Sequence, residues 1–165
     1  MPLFRKVKTS DEITTVAGLA QVIWREYFVP FVGEEPIELM LRTVQSAEGI
    51  TAQIADGYEY YFIIIDATTA GYCAYKPNPK TEELFLSKLY LQKEYRGRGL
   101  GSEAIEFMTD AAHKAGMKKI VLTVHKNNQQ AIAVYEKAGF VKARLVERDL
   151  GETVTVCDYV MEKRL

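Results

Sequence analysis

The sequence is short of several things that would narrow its function at once. It holds two cysteines and two histidines in 165 residues. Cys73 and Cys157 stand singly in strand-like runs with no metal-ligand spacing, so reduced, buried, structural thiols and no metal are expected. Neither sign of charge is in excess: 21 Lys and Arg against 22 Asp and Glu leave a formal net charge of −1. A general polyanion binder carries a basic surplus, so nucleic acid is not an expected partner. No apolar run approaches the length of a membrane span, and the opening MPLFRKVKTSDE has no apolar signal core. The expected setting is cytoplasmic, with no membrane partner. Internal repeats and low-complexity linkers are also missing, and one domain over residues 1–165 is expected.

What is present reads as alternating strands and helices. A short strand over Leu3–Lys8 leads to Thr9-Ser10-Asp11-Glu12, which has the spacing of a capping box. Ile13, Val16, Ala20, Ile23, Trp24 and Tyr27 then keep a helical period, which Pro30 and the turn at Gly33–Pro36 are expected to break. Pro36 suits the first turn of a second helix, and a shorter helical piece is expected over Ile50–Ala55. Tyr58–Ile65 and Ala70–Lys76 form a hairpin, and Leu84–Leu91 is a third strand. A helix to about Ala115, a strand over Lys119–Val124, a helix over Gln129–Ala138 and a strand over Phe140–Arg148 follow. A turn at Asp149–Glu152 and a last strand over Thr153–Glu162 complete the chain. The order β-α-α-β-β-β-α-β-α-β-β gives an α/β fold. Its right-handed crossover from Leu84 to Val124 makes one parallel pair in a mixed sheet.

Between Leu91 and the following helix the chain reads QKEYRGRGLGSEAI, with three glycines in five residues. Such a run costs backbone entropy and starts a helix badly. At a helix start the first N–H groups lack partners and the dipole is positive, so bare backbone there suits a pyrophosphate. Arg96 and Arg98 add local charge. A dinucleotide site would need a third glycine where Ser102 stands and an acid at the end of the next strand, which instead reads Thr123-Val124-His125-Lys126. A nucleotide-triphosphate loop would end Gly-Lys-Ser/Thr, and none occurs. The glycines alone also fit a turn that merely lets helix and strand pack.

Two motifs decide between these. Arg96-x-x-Gly99-x-Gly101 resembles the acetyl-coenzyme-A signature of the GCN5-related N-acetyltransferases, the GNAT superfamily. Asn128-Gln129-Gln130-Ala131-Ile132-Ala133-Val134-Tyr135-Glu136-Lys137-Ala138-Gly139-Phe140 resembles that family's second signature. The element order matches as well, so the resemblance covers nearly the whole chain. It implies acetyl-CoA as cofactor and a parallel strand pair splayed by a bulge. It also implies pantetheine bound along the backbone of Leu89, Tyr90 and Leu91, with Asn128 and Ala131 reaching it from the other side. The pyrophosphate would lie in the segment Arg96, Gly97, Arg98, Gly99, Leu100, Gly101 and Ser102.

The resemblance further implies the chemistry. Direct attack by a primary amine through a tetrahedral intermediate needs an oxyanion donor and an acid for the leaving thiolate. Those roles fall to the Leu91 N–H and to Tyr135. The family's frequent glutamate base is replaced by Thr123, so the general base is not assigned. His125 lies on the same strand face as Thr123. The acceptor is expected to be a small amine, polyamine-like, lodged near Glu26, Tyr27, Phe28 and Phe31, with Glu34 and Glu35 available for a second ammonium. Protein N-terminal or lysine acetylation and a silent acyl-CoA-binding module are the alternatives, and a homodimer is left open.

Overall fold

The computed structural model describes residues 1–149 and 154–165. Its strands are β1 (Leu3–Lys6), β2 (Glu59–Ile65), β3 (Thr68–Asn78), β4 (Glu83–Leu91), β5 (Lys119–His125), β6 (Val141–Asp149) and β7 (Thr155–Arg164). Its helices are α1 (Ser10–Val32), α2 (Glu34–Thr43), α3 (Ala47–Ala55), α4 (Leu100–Lys114) and α5 (Gln129–Lys137). The strands make one seven-stranded sheet in the order β1-β2-β3-β4-β5-β7-β6. Only the β4–β5 pairing is parallel, as the single crossover demands. The turn expected over 149–152 lies, apart from Asp149, outside the described residues, as does Thr153.

Local signals explain most of the boundaries. Thr9 and Glu12 form the capping box: the Glu12 N–H donates to Thr9 Oγ1 at 3.1 Å and the Thr9 N–H to Glu12 Oε1 at 2.9 Å. The expected break at Pro30 does not occur. Pro30 sits in the last turn of α1, where losing one N–H costs only the bond to the Glu26 carbonyl. Gly33, at φ 88°, ends the helix instead, its N–H donating to the Val29 carbonyl at 2.9 Å. The short helix starts earlier than expected, at Ala47, because Ser46 caps it by accepting from the Gly49 N–H at 3.1 Å.

Alternation along the strands supplies a core on each face of the sheet. On one side α1, α2 and α3 bury Val16, Ile23, Trp24 and Leu41 against Phe62 and Tyr72. On the other, α4 and α5 bury Ala104, Met108 and Ile132 against Leu84, Ile120 and Met161. Cys73 is fully buried and Cys157 half-buried, and both are free thiols.

A polar chain crosses the first core. Trp24 Nε1 donates to the Tyr72 hydroxyl at 2.9 Å, which donates to Gln45 Oε1 at 2.6 Å. Gln45 Nε2 donates to the Tyr60 hydroxyl at 3.0 Å, which donates to Gln53 Oε1 at 2.6 Å. Gln45 is fully buried, so Gln45→Leu leaves the Tyr72 hydroxyl proton without an acceptor and removes the bond donated to the Tyr60 hydroxyl. The expected cost is about 2–4 kcal/mol, read as a lowered urea midpoint with an unchanged m-value.

Candidate active site

β4 and β5 pair only through Glu83–Lys119, Leu84–Ile120 and Phe85–Val121. Beyond Phe85, β4 stays on β3 and β5 stays on β7, so the two strands part and each presents an unpaired edge. The cause is visible in the register. Tyr75 of β3 faces Leu86, while the next residue, Ala74, faces Lys88, which leaves Ser87 as an extra residue in β4. A bulge of this kind bends its strand and raises the local twist. The opening holds a cavity of ≈ 530 Å³, walled by Trp24, Tyr27 and Phe28 of α1, Tyr90 of β4, Thr123 of β5 and Tyr135 of α5.

The edge of β4 has a readable polarity. The Gln92 N–H donates to the Ala70 carbonyl at 2.8 Å, extending a register in which Tyr72 faces Tyr90. Antiparallel pairs alternate between bonded and non-bonded. The backbones of Lys88 and Tyr90 therefore face β3, and those of Leu89 and Leu91 face the opening. This corrects one expectation: Tyr90 offers the cleft a ring and not its backbone. It also relocates another, because Leu89 lines the cavity beside Tyr135, whereas Leu91 lies outside it with its carbonyl accepting from Arg96 Nε at 3.0 Å.

After a 3₁₀ turn at Lys93–Tyr95, the glycine segment enters α4. Gly97 and Gly99 hold φ of 75° and 80°, the left-handed region that side chains avoid. Gly101 is different. Its φ is not positive, and a Cβ there would meet nothing within 4 Å. No side chain caps α4, so the N–H groups of its first turn have no capping partner. Neither conformation nor packing in the protein explains Gly101. The bare backbone leaves the helix start open to a ligand. Gly101→Ala is expected to stabilise the free protein by roughly 0.5–1 kcal/mol, a rise of a few degrees in Tm, while weakening acetyl-CoA several-fold by calorimetry.

The remaining expected residues divide. Tyr135 packs edge-on against Phe140 and lines the cavity. Burial, with the nearby Tyr27, pushes its ionisation well above the usual tyrosine range, so it stays protonated at neutral pH. Asn128 caps α5, its Oδ1 accepting from the Ala131 N–H at 3.3 Å, and its Nδ2 donates to the Tyr27 hydroxyl at 2.6 Å. It thereby ties α1 to α5 across the mouth of the cleft.

Arg96 is drawn into the fold and away from a purely phosphate-binding role. Besides the Leu91 carbonyl it holds Glu26 and lies 5.1 Å from the Tyr27 ring, leaving Nη2 buried without a partner. Glu26 is accordingly engaged and does not stand free for an ammonium. Arg98 stays exposed over Tyr95. Phe31 lies outside the cavity, 5.4 Å from the His125 ring, which lines it. His125 Nδ1 accepts the Asn127 N–H at 3.1 Å, which places the ring proton on Nε2 and occupies the lone pair a base would use. Glu34 and Glu35, in the first turn of α2, do not line the cavity. Lys88, Arg148 and Asp158, which no motif marks, do line it; the sequence signal for Lys88 is a lysine inside the apolar run LFLSKLYL.

A cleft between splayed parallel strands, opening onto a bare helix start, is the arrangement the two signatures implied, and a family model matches the chain that forms it. The model of the acetyltransferase (GNAT) family matches residues 17–140. The chain belongs to that family. Members transfer the acetyl group of acetyl-CoA to amines. Among curated relatives, spermidine N(1)-acetyltransferase of Thermoplasma acidophilum is 27% identical over 97% of this chain and 95% of its own length. The uncharacterized N-acetyltransferase YycN of Bacillus subtilis is 32% identical over 43% of this chain and 46% of its own, so the matched segment spans about half of that relative. The solved PaiA N-acetyltransferase from Thermoplasma acidophilum, in complex with coenzyme A, superposes with a TM-score of 0.80. It covers 100% of this chain and 99% of its own at 23% identity, a likeness of fold. Among the described residues no helix is long and apolar enough to cross a membrane.

The residues present fit the family's acetyl donor. The cradle at Gly97–Ser102 is open, the first turn of α4 is uncapped, and the N–H groups of Leu89 and Leu91 face an empty strand edge.

Proposed function

We propose that the protein transfers the acetyl group of acetyl-CoA to the primary amine of a small molecule that enters the cleft from its aromatic side. The observation that carries this reading is the cavity itself. It brings an open-edge N–H at Leu89, the protonated Tyr135 and the rings of Trp24, Tyr27 and Phe28 around one open cleft. Acetyl-CoA supplies the thioester. Gly99 to Ser102 hold the pyrophosphate with backbone amides, assisted by exposed Arg98. Leu89 and Leu91 fix the arm by strand-edge hydrogen bonds, in the way a peptide adds to a sheet. The Leu89 N–H, in place of the Leu91 N–H first expected, is set to stabilise the developing oxyanion. Tyr135 holds the proton that the departing sulfur takes.

Neither Thr123, where the family often has its base, nor His125 beside it is free to take the amine's proton. Thr123 has no basic group, and the Nδ1 lone pair of His125 is occupied. Water leading out of the cavity serves instead. An alkylammonium with pKa near 10.4 is neutral about once in 10³ molecules at pH 7. With a monoamine acceptor, kcat/KM is therefore expected to rise about tenfold per pH unit between 7 and 9. A plateau from pH 7 upward would instead identify a protein base.

The spermidine N(1)-acetyltransferase of Thermoplasma acidophilum, aligned almost end to end with this chain, supports a small amine as acceptor. The polyamine form of that reading rests on the relative, because Glu26, Glu34 and Glu35 do not assemble the second ammonium site once expected of them. The test is a panel of small amines and peptides with detection of released thiol. Turnover with small primary amines is expected; turnover confined to peptide N-termini would place the protein among protein acetyltransferases.

A further inference from the structure

Lys88 is the one charged residue in the inner half of β4, within the run LFLSKLYL. The two-residue period puts it on the same face as Tyr90, towards α1 and α2, and it lines the cavity. Its Nζ donates to its own neighbour, Ser87 Oγ, at 2.6 Å, and among the described residues no carboxylate pairs with it. A second cation lines the same space. Arg148 reaches in from β6, on the far side of the splay, and forms an ion pair with Asp158 at 2.6 Å. Asp158 is itself buried at 2% exposure.

Among the described residues, the acids that line the cavity are already paired. Asp158 is held by Arg148, and Asp56 by Lys76 at 2.8 Å. Glu26, outside the cavity, is held by Arg96. A ligand's second ammonium therefore meets no unengaged carboxylate among the described residues that line the cavity, and it meets the field of Lys88 besides. A ligand's oxyanion meets the opposite: the Lys88 ammonium, which has no carboxylate partner among the described residues, between aromatic walls where a fixed charge acts strongly.

We infer that the acceptor carries a carboxylate in addition to its reactive amine, and that Lys88 receives that carboxylate. This deepens the acetyl-transfer reading above and rests on it. The free state shows the tension such a ligand relieves. Burial, and then repulsion from Arg148, pushes the Lys88 ammonium down to about 8, so the empty site already resists holding both positive charges. The acceptor class is an amino acid or a short amino carboxylate. The cavity of ≈ 530 Å³ must also admit the end of the pantetheine arm.

The test is a matched set of ligands titrated calorimetrically into the full chain saturated with coenzyme A. For chains of three to six carbons it compares the ω-amino carboxylate, the simple alkylamine and the diamine. At the best chain length the amino carboxylate is expected to bind at least tenfold more tightly than the alkylamine, and the diamine more weakly than either. Lys88→Gln should reduce the tenfold preference to threefold or less, and Lys88→Arg should restore most of it. Equal binding, tightest binding of a diamine, or a preference that survives Lys88→Gln would each overturn the inference. Thiol release with the same compounds and acetyl-CoA is read separately. A ranked binding order without turnover of any amine would leave the carboxylate site standing and sink the transfer reading. Turnover with diamines binding best would do the reverse.

Discussion

Tyr135→Phe is expected to lower kcat by about 10²-fold or more and to leave acetyl-CoA affinity within about twofold. The substitution removes one hydroxyl and almost no volume. Tyr135 packs on Phe140 through its ring, and that contact is unchanged in phenylalanine. What is lost is the group that burial keeps protonated inside the cleft. A departing thiolate then takes its proton from water, so the deficit belongs in kcat and not in KM for the donor. A poorer acceptor, whose expulsion of thiolate is slower, should show the larger deficit. Equal kcat in the two proteins would make Tyr135 a packing residue and would leave the acid unassigned.

Gly99→Val should act on the other half of the site. Gly99 holds φ at 80°, a region that a β-branched side chain enters only with strain. The added methyls would also occupy space that the protein leaves empty, since a Cβ at Gly99 meets nothing within 4 Å. Acetyl-CoA affinity is expected to fall more than tenfold, with a loss of stability on the order of 1–2 kcal/mol from the strained backbone. Gly101→Ala separates these causes, because there the backbone is ordinary. A weaker affinity in a more stable protein traces the effect to the ligand's space. If Gly101→Ala raises Tm and binds acetyl-CoA as well as the parent does, the pyrophosphate does not lie over the start of α4.

Much of this was legible in local sequence because local chemistry decides it. Thr9 and Glu12 are three residues apart and cap each other. Gly97 and Gly99 take the dihedral angles that only glycine takes cheaply, and the hairpin of β2 and β3 follows from its own alternation. The splay of β4 from β5 came through the family resemblance, and the register supplies its cause at Ser87. What was not legible depends on residues far apart in the chain. Pro30 reads as a break, yet a proline in a last turn costs one hydrogen bond, and Gly33 ends α1 instead. Arg96 reads as a phosphate ligand until α1 brings Glu26 and Tyr27 to it. Asn128 reads as a ligand residue and is found also to cap α5 and hold Tyr27. Leu89 and Leu91 both turn their N–H groups to the opening, and only Leu89 lines the cavity, a distinction that the register and the neighbouring elements make and no single strand contains. Lys88, Arg148 and Asp158 come from three strands and form a group only when β6 folds back beside β7.

Residue-resolved amide exchange by NMR, with and without coenzyme A, tests the central claim most directly. Coenzyme A is expected to slow exchange at Leu89 and Leu91, whose N–H groups face the opening, and at Leu100, Gly101 and Ser102 in the uncapped first turn of α4. Tyr90, already paired to β3, should change far less than its two neighbours. Protection at Leu89, Leu91 and the start of α4, with Tyr90 little altered, is the signature of an arm laid along the free edge of β4 with its pyrophosphate on the helix. Protection of Leu89, Tyr90 and Leu91 alike, or no change at Leu100 to Ser102, would contradict the site.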